Sequence, residues 1–119
     1  MSKAVILVGH GSRDPLWRLP MEAVAARVAA LKPAVPVRCA YLELQQPDVP
    51  AAAADVVALG VRQVSLVPLF LGTGKHARAD LPRLLQELRR THPAVEFSLQ
   101  PSVGEDPRVL DLLAQIALE

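Results

Sequence analysis

Four short apolar runs alternate along this 119-residue chain with segments of helical periodicity, and this alternation restricts the possible fold more than any other feature. The runs cover residues 4–8, 35–42, 63–71 and 95–99. Runs of this length, rich in aliphatic and β-branched residues, are typical of buried strands. Strict alternation with helices predicts an α/β fold with a single four-stranded parallel sheet, right-handed crossovers and helices on both faces. We expect a flavodoxin-like strand order.

Apolar residues at three- to four-residue spacing predict the helices between and after these strands. We expect helices over residues 16–31 and 48–59, a third with residues 80–82 near its start, and a fourth that begins at residues 106–107. Asp48 is expected to cap the second helix and Gly60 to end it. Pro68 lies inside the third apolar run, which requires a strand position where no ladder N–H is needed. Residues 1–119 are expected to form one domain.

Composition excludes several classes of function. The chain has 13 basic and 12 acidic residues, a net charge of +1, which argues against a nucleic-acid partner. Its single cysteine, Cys39, excludes an internal disulfide and a cysteine-based zinc site, and it fits a reducing, cytoplasmic setting. No apolar stretch approaches the roughly 20 residues that span a bilayer, so no membrane partner is expected. The apolar start runs into Gly9-His10-Gly11, which is too polar to continue a signal peptide.

Polar and glycine-rich segments follow the predicted strands where a ligand site is expected. Ligands of open α/β sheets bind beyond the carboxyl ends of the strands. Two of the three histidines, His10 and His76, follow the first and third strands, so their rings can face one crevice. Imidazole binds Co, Ni, Fe, Cu and Zn well. The alternative for each histidine is a loop residue hydrogen-bonded to a nearby carbonyl, and His92 is expected to lie at a helix end.

Charged residues in the same segments are candidates for proton transfer and for binding an acidic ligand. Glu43, at the end of the second strand, can relay protons or hold a cation, and its alternative is a solvated acid. Arg13, Lys75 and Arg78 can pair with carboxylates of an acidic ligand, and their alternative is surface charge. The sequence therefore predicts a site that contains imidazole, carboxylate and cationic groups together.

The glycines of residues 72–75 leave a phosphate-binding domain as another hypothesis, with His10 as a nucleophile. The segment lacks the spacing of a P-loop, because His76 stands where serine or threonine is required. Trp17 is expected either to pack in the core or to cover the mouth of the crevice.

The motifs, taken together, resemble the small form of the sirohydrochlorin chelatases, the CbiX/SirB group of class II chelatases. The resemblance covers nearly the whole chain, in order. It is carried by residues 9–13 (Gly-His-Gly-Ser-Arg), Leu42-Glu43, Phe70-Leu71 with Gly74 and His76, Asp80-Leu81-Pro82, and residues 101–108. Some relatives carry an acid where this chain has Gln46, so no acidic role is expected there.

The resemblance implies a four-stranded chelatase half-unit that works as a homodimer, because larger relatives hold two such units facing a shared cleft. It implies insertion of Co2+, or alternatively Fe2+ or Ni2+, into sirohydrochlorin. The metal is then a substrate, and no permanently bound cofactor is expected. His10 is implied as proton acceptor and metal ligand, His76 as a second metal ligand, and Glu43 is expected to assist them. The expected substrate contacts are Ser12, Arg13, Leu71, Gly72, Thr73, Gly74, Lys75 and Arg78. A non-catalytic tetrapyrrole or metal carrier is the alternative.

Overall fold

The computed structural model describes residues 2–119 and confirms the predicted alternation of strands and helices. The strands are β1 (Lys3–Gly9), β2 (Val37–Tyr41), β3 (Gln63–Pro68) and β4 (Glu96–Leu99). The α-helices are α1 (Leu19–Leu31), α2 (Val49–Ala58), α3 (Lys75–Thr91) and α4 (Pro107–Ala117), and two 3-10 helices cover Pro15–Arg18 and Val103–Glu105. Met1, part of the predicted domain of residues 1–119, lies outside the described residues.

The four strands form one parallel sheet in the order β2-β1-β3-β4, as expected for a flavodoxin-like arrangement. Their carboxyl ends therefore lie at one edge, where the predicted site residues follow β1, β2 and β3. Pro68 is tolerated because the pairing of β3 with β4 ends at Leu66 and Leu99, while Pro68 still pairs in register with Val8 of β1.

One face of the sheet is closed by α2 and α3. Sixteen buried residues form a continuous apolar cluster there, drawn from all four strands and from both helices. Ile6, Leu66 and Phe97 are among its largest fully enclosed side chains. Asp48 caps α2 as predicted, because its carboxylate accepts a hydrogen bond of 2.9 Å from the Ala51 N–H.

The other face is covered only in part. Helix α1 packs over β1 and β2, where Leu7, Met21 and Tyr41 form a small buried cluster. Helix α4 buries none of its residues and mainly contacts the short 3-10 helix before it. Among residues 2–119, no helix covers the half of this face formed by β3 and β4.

Two sequence-based expectations about helix starts were wrong. The helix expected from residue 16 begins as the 3-10 turn Pro15–Arg18, where the Asp14 carboxylate accepts from the Leu16 N–H. The third helix begins at Lys75, so Pro82 lies inside it rather than near its start. His76 and Arg78 therefore lie on a helix, whose rigid backbone fixes their positions better than a loop does.

Candidate active site at the carboxyl edge of the sheet

His10 follows β1 directly, and its imidazole stacks on the ring of Phe70. The ring centroids are 3.9 Å apart and the planes are inclined by 17°. Phe70 is only 2% exposed and belongs to the closed core, whereas His10 is exposed. The core therefore orients the imidazole through one face of the ring and leaves the ring edge, with its two nitrogens, outside this contact.

Backbone hydrogen bonds continue the pairing of β1 with β2 past the ends of both strands. The Leu42 N–H donates to the Gly9 carbonyl at 3.0 Å, and the Glu43 N–H donates to the His10 carbonyl at 3.1 Å. Glu43 is thereby fixed beside His10 at the level of the main chain.

A sharp turn of the backbone on each side makes this close approach possible. Gly11 has a φ of +100°, and a Cβ atom there would collide with the Glu43 carbonyl. Leu44 has a φ of +65°, a left-handed conformation that non-glycine residues adopt rarely. A side chain at position 11 would therefore separate the segments that carry His10 and Glu43.

His76, in the first turn of α3, lines the same cavity as His10 and Glu43. The cavity has a volume of about 340 Å³, and Leu42, Ala77 and Asp80 complete its lining. The structure thus brings the three predicted catalytic residues around one space. Among residues 2–119, no three His, Cys, Asp or Glu side chains meet closely enough to hold a metal ion. The cavity therefore presents separate donors around a space rather than a preformed ligand set.

His10 also borders a second, larger cavity of about 580 Å³. Except for His10 and Asp14, the lining is apolar, with Leu16, Trp17, Met21, Val24, Leu69 and Val103 as its larger side chains. Trp17 is 54% exposed, so of the two expectations for this residue the structure supports a place at the mouth of the cavity. An apolar space of this size suits a ligand with a broad, flat, apolar surface.

The segment between β3 and α3 is tied to the corner after β4. The Gly104 N–H donates to the Phe70 carbonyl at 2.9 Å, and the hydroxyls of Thr73 and Ser102 are hydrogen-bonded. A Cβ atom at Gly104 would collide with the backbone of Leu71. These contacts hold the predicted macrocycle-binding segment in place beside His76.

The remaining predicted substrate contacts line the same edge, and their role stays a prediction. Ser12 shapes its own loop, because its hydroxyl accepts from the Asp14 N–H and its N–H donates to the Gln45 side chain. Arg78 donates to the Thr73 carbonyl at 3.1 Å. The other members of the set are wholly or partly exposed: Arg13, Leu71, Gly72, Gly74 and Lys75.

Cys39 and His92 lie away from these cavities. Burial raises the pKa of the Cys39 thiol, and the charge of Glu22 raises it further, so the thiol stays neutral at pH 7. Only a thiolate ligates metal well. His92 follows the end of α3 opposite His76, with its ring centroid 5.9 Å from that of Phe97. It serves as a natural control for the two histidines of the site.

Comparison with known proteins places the fold and the sequence in one family. The sequence profile of CbiX matches residues 4–119. The crystal structure of a CbiX protein from Marinobacter aquaeolei VT8 superposes with a TM-score of 0.84 at 30% identity, over 97% of this chain and 93% of that chain. The chain belongs to the CbiX family.

Named relatives of this CbiX chain include chelatases of different length. A sirohydrochlorin cobaltochelatase of Methanopyrus kandleri is 38% identical over 69% of this chain and 57% of its own length. A sirohydrochlorin ferrochelatase of Bacillus subtilis is 32% identical over 92% of this chain but only 42% of its own length. The chain thus spans about half the length of these two relatives, and the second of them has room for two such units.

Sequence reasoning missed two residues that the CbiX fold brings to the site. Phe70 was named only as part of a motif. A large aromatic residue that follows a buried strand can contact the residue that follows the neighbouring strand, and this signal could have identified it. Asp80 was named only as part of the segment that contains Pro82, and not as a site residue. Because α3 begins at Lys75, Asp80 lies one turn beyond His76 and lines the same cavity.

Proposed function

We propose that this chain inserts a divalent metal ion, Co2+ or alternatively Fe2+ or Ni2+, into sirohydrochlorin. The observation that carries the proposal is the shared cavity of His10, Glu43 and His76 at the carboxyl edge of the sheet. Its support comes from the CbiX profile and from relatives named sirohydrochlorin cobaltochelatase and ferrochelatase. The metal passes through as a substrate, and no permanently bound cofactor takes part.

Two pyrrole protons must leave the macrocycle as the metal enters. A general base with a pKa near neutrality suits this step, and imidazole is the side chain with that property. His10 accepts one of these protons, held in orientation by its stack on Phe70, and the other proton passes to solvent water. His76 and Glu43 hold the incoming cation while it loses water, since imidazole and carboxylate both bind these metals.

The two cavities that His10 borders divide the substrates. The polar cavity, with two imidazoles and the carboxylates of Glu43 and Asp80, receives the hydrated cation. The apolar cavity beside Trp17 receives a face of the macrocycle. Arg13, Lys75 and Arg78 are exposed around this edge and bind the peripheral carboxylates of the macrocycle.

Pairing of two copies and a cytoplasmic setting are parts of the same proposal. Some named relatives are more than twice as long as the matched segment, which supports a complete cleft made of two units. None of the helices in residues 2–119 is long and apolar enough to cross a membrane.

Absorption spectroscopy of the purified chain with sirohydrochlorin and Co2+ tests the proposal, with the spontaneous rate subtracted. We expect His10→Ala to lower the insertion rate by ~10²–10⁴-fold, the usual contribution of a general base. His76→Ala is expected to lower the rate through weaker metal binding. His92→Ala is the matched control, because it removes an imidazole far from the cavity, and its rate should equal that of the wild type.

Wild-type rates no higher than the spontaneous rates with Co2+, Ni2+ and Fe2+ would contradict the proposal. The number of product molecules per chain separates an enzyme from a carrier. An enzyme releases many equivalents of metallated product, whereas a carrier stops at one.

A further inference from the structure

The side chains of α4 form an apolar surface that nothing in the described chain covers. Leu110, Leu112, Leu113 and Ile116 are between 40% and 56% exposed. At 100° per residue, the apolar positions cover about 200° of the helix circumference with Leu113 near the centre, about twice the stripe of an ordinary surface helix. An arc this wide can pack against two neighbours at once.

The sheet beside α4 also has a surface that no helix of the described chain covers. Parallel sheets are normally covered on both faces, but β3 and β4 have no helix on the α1 side. A cavity of about 390 Å³ separates the start of α4 from this strip, and it is lined by Val67, Gln100 and Val103 among others. The chain thus leaves both an apolar helix and a strip of sheet without a partner among residues 2–119.

We infer that α4 is the dimerisation element, and that it packs against α4 of a second copy and against the neighbouring β3–β4 strip. This inference rests on the pairing of half-units proposed above and names the surface that makes it. A second copy is the favoured occupant because relatives that match this chain over less than half of their own length have room for a second unit. A symmetric contact of one surface with itself closes as a dimer.

The area and the charge distribution fit such an interface. The four exposed side chains of α4 offer on the order of 400 Å² per copy, so the β3–β4 strip must also contribute if two copies are to bury the roughly 1,000 Å² of a specific interface. Between Val109 and Leu118 the only charged residue is Asp111, which lies on the opposite side of the helix from Leu113. Interface cores are depleted of charge in this way.

Light scattering coupled to size-exclusion chromatography tests the inference on the full chain. We expect the wild type to be a dimer and Leu113→Glu to be a monomer at the same concentration. Gln115→Glu adds the same charge on the polar side of α4 and should remain dimeric. Circular dichroism should show all three folded, because α4 contributes no buried residue to the core.

Cross-linking locates the contact independently. In a Cys39→Ala background, Leu113→Cys should form a covalent dimer with a short bis-maleimide, whereas Gln115→Cys should do so much less. A monomeric wild type, or a Leu113→Glu variant that stays dimeric, overturns the inference. Metal insertion by a wild type whose Leu113→Glu variant stays dimeric refutes the inference and leaves the proposed function standing. A wild-type dimer that Leu113→Glu dissociates, but that has no insertion activity, refutes the proposed function and leaves the inference standing.

Discussion

The two faces of the sheet differ in how completely they are closed, and the difference separates stability from function. On the α2–α3 side, sixteen buried residues form one cluster, whereas the α1 side holds a cluster of three. The large apolar cavity and the exposed arc of α4 both lie on the less covered side. The closed face therefore holds most of the buried core, while the open face carries the two surfaces to which we assigned the macrocycle and a second copy in the proposals above.

The sharpest test of this contrast compares truncations on the two sides. Phe97→Ala, in the closed core, should lower the free energy of unfolding by about 3–5 kcal/mol because it leaves a cavity. Leu112→Ala, on exposed α4, should change it by less than about 0.5 kcal/mol under conditions where the chain is monomeric. Urea unfolding followed by circular dichroism measures both. Equal losses would show that α4 belongs to the core of its own chain.

A second test asks whether the closed core orients the imidazole of His10. Phe70→Leu conserves an apolar side chain and should cost less than about 1.5 kcal/mol of stability. It removes the ring on which His10 stacks, a contact of about 0.5–1.5 kcal/mol, so insertion should slow by up to about tenfold. Phe97→Leu makes the same substitution elsewhere in the core and should leave the insertion rate unchanged. If both variants lose the same activity, the stack has no positioning role.

Helix caps provide a milder comparison, since each face has a helix capped by an aspartate. Asp48→Ala should lower the free energy of unfolding by about 1 kcal/mol, because α2 is packed in the closed core. Asp106→Ala removes the corresponding cap from α4 and should leave the midpoint of global unfolding of the monomer unchanged, with some loss of helical signal. Thermal unfolding monitored by far-ultraviolet circular dichroism distinguishes the two. Equal shifts in the midpoint would contradict the independence of α4.

The smallest expected effect is the pH dependence of the α4 cap. Hydrogen bonds from Arg108, first from its side chain and then from its backbone N–H, lower the pKa of Asp106 from 3.8 to about 2. Because the folded-state pKa is depressed, the contribution of this cap is present above pH 3.8 and is lost as the pH falls through about 2. Carboxyl NMR titration should find this low pKa, and Arg108→Gln should move it back toward 3.8. An unchanged value in the variant would exclude the Arg108 side chain as its cause.

The sequence predicted the features that depend on interactions between residues close together in the chain. The four apolar runs became the strands, Asp48 and Asp106 cap the helices they precede, and His10 and His76 share a cavity because parallel strands carry them to one edge. The start of α3 was not predictable in this way, because Gly74 supplies no side-chain cap to mark it.

Contacts between distant segments could not be read from periodicity. The expected strand order places β1 beside β3, but it does not report which side chains after the two strands meet, so the stack of His10 on Phe70 was not predicted. The apolar pattern of α4 is visible in the sequence, but periodicity reports only that a helix has an apolar side. It does not report whether the partner of that side belongs to the same chain.

The backbone bonds between residues 9–10 and 42–43 have a consequence for cation size. His10 and Glu43 are joined main chain to main chain and keep a fixed separation, whereas His76 belongs to a separate helix reached through residues 69–74. In the function proposed above, any change in the separation of the three side chains would come from the segment of residues 69–74 and not from the paired strands. The hydrogen bonds of this segment with Ser102 and Gly104 are then expected to influence which cation the proposed site accepts.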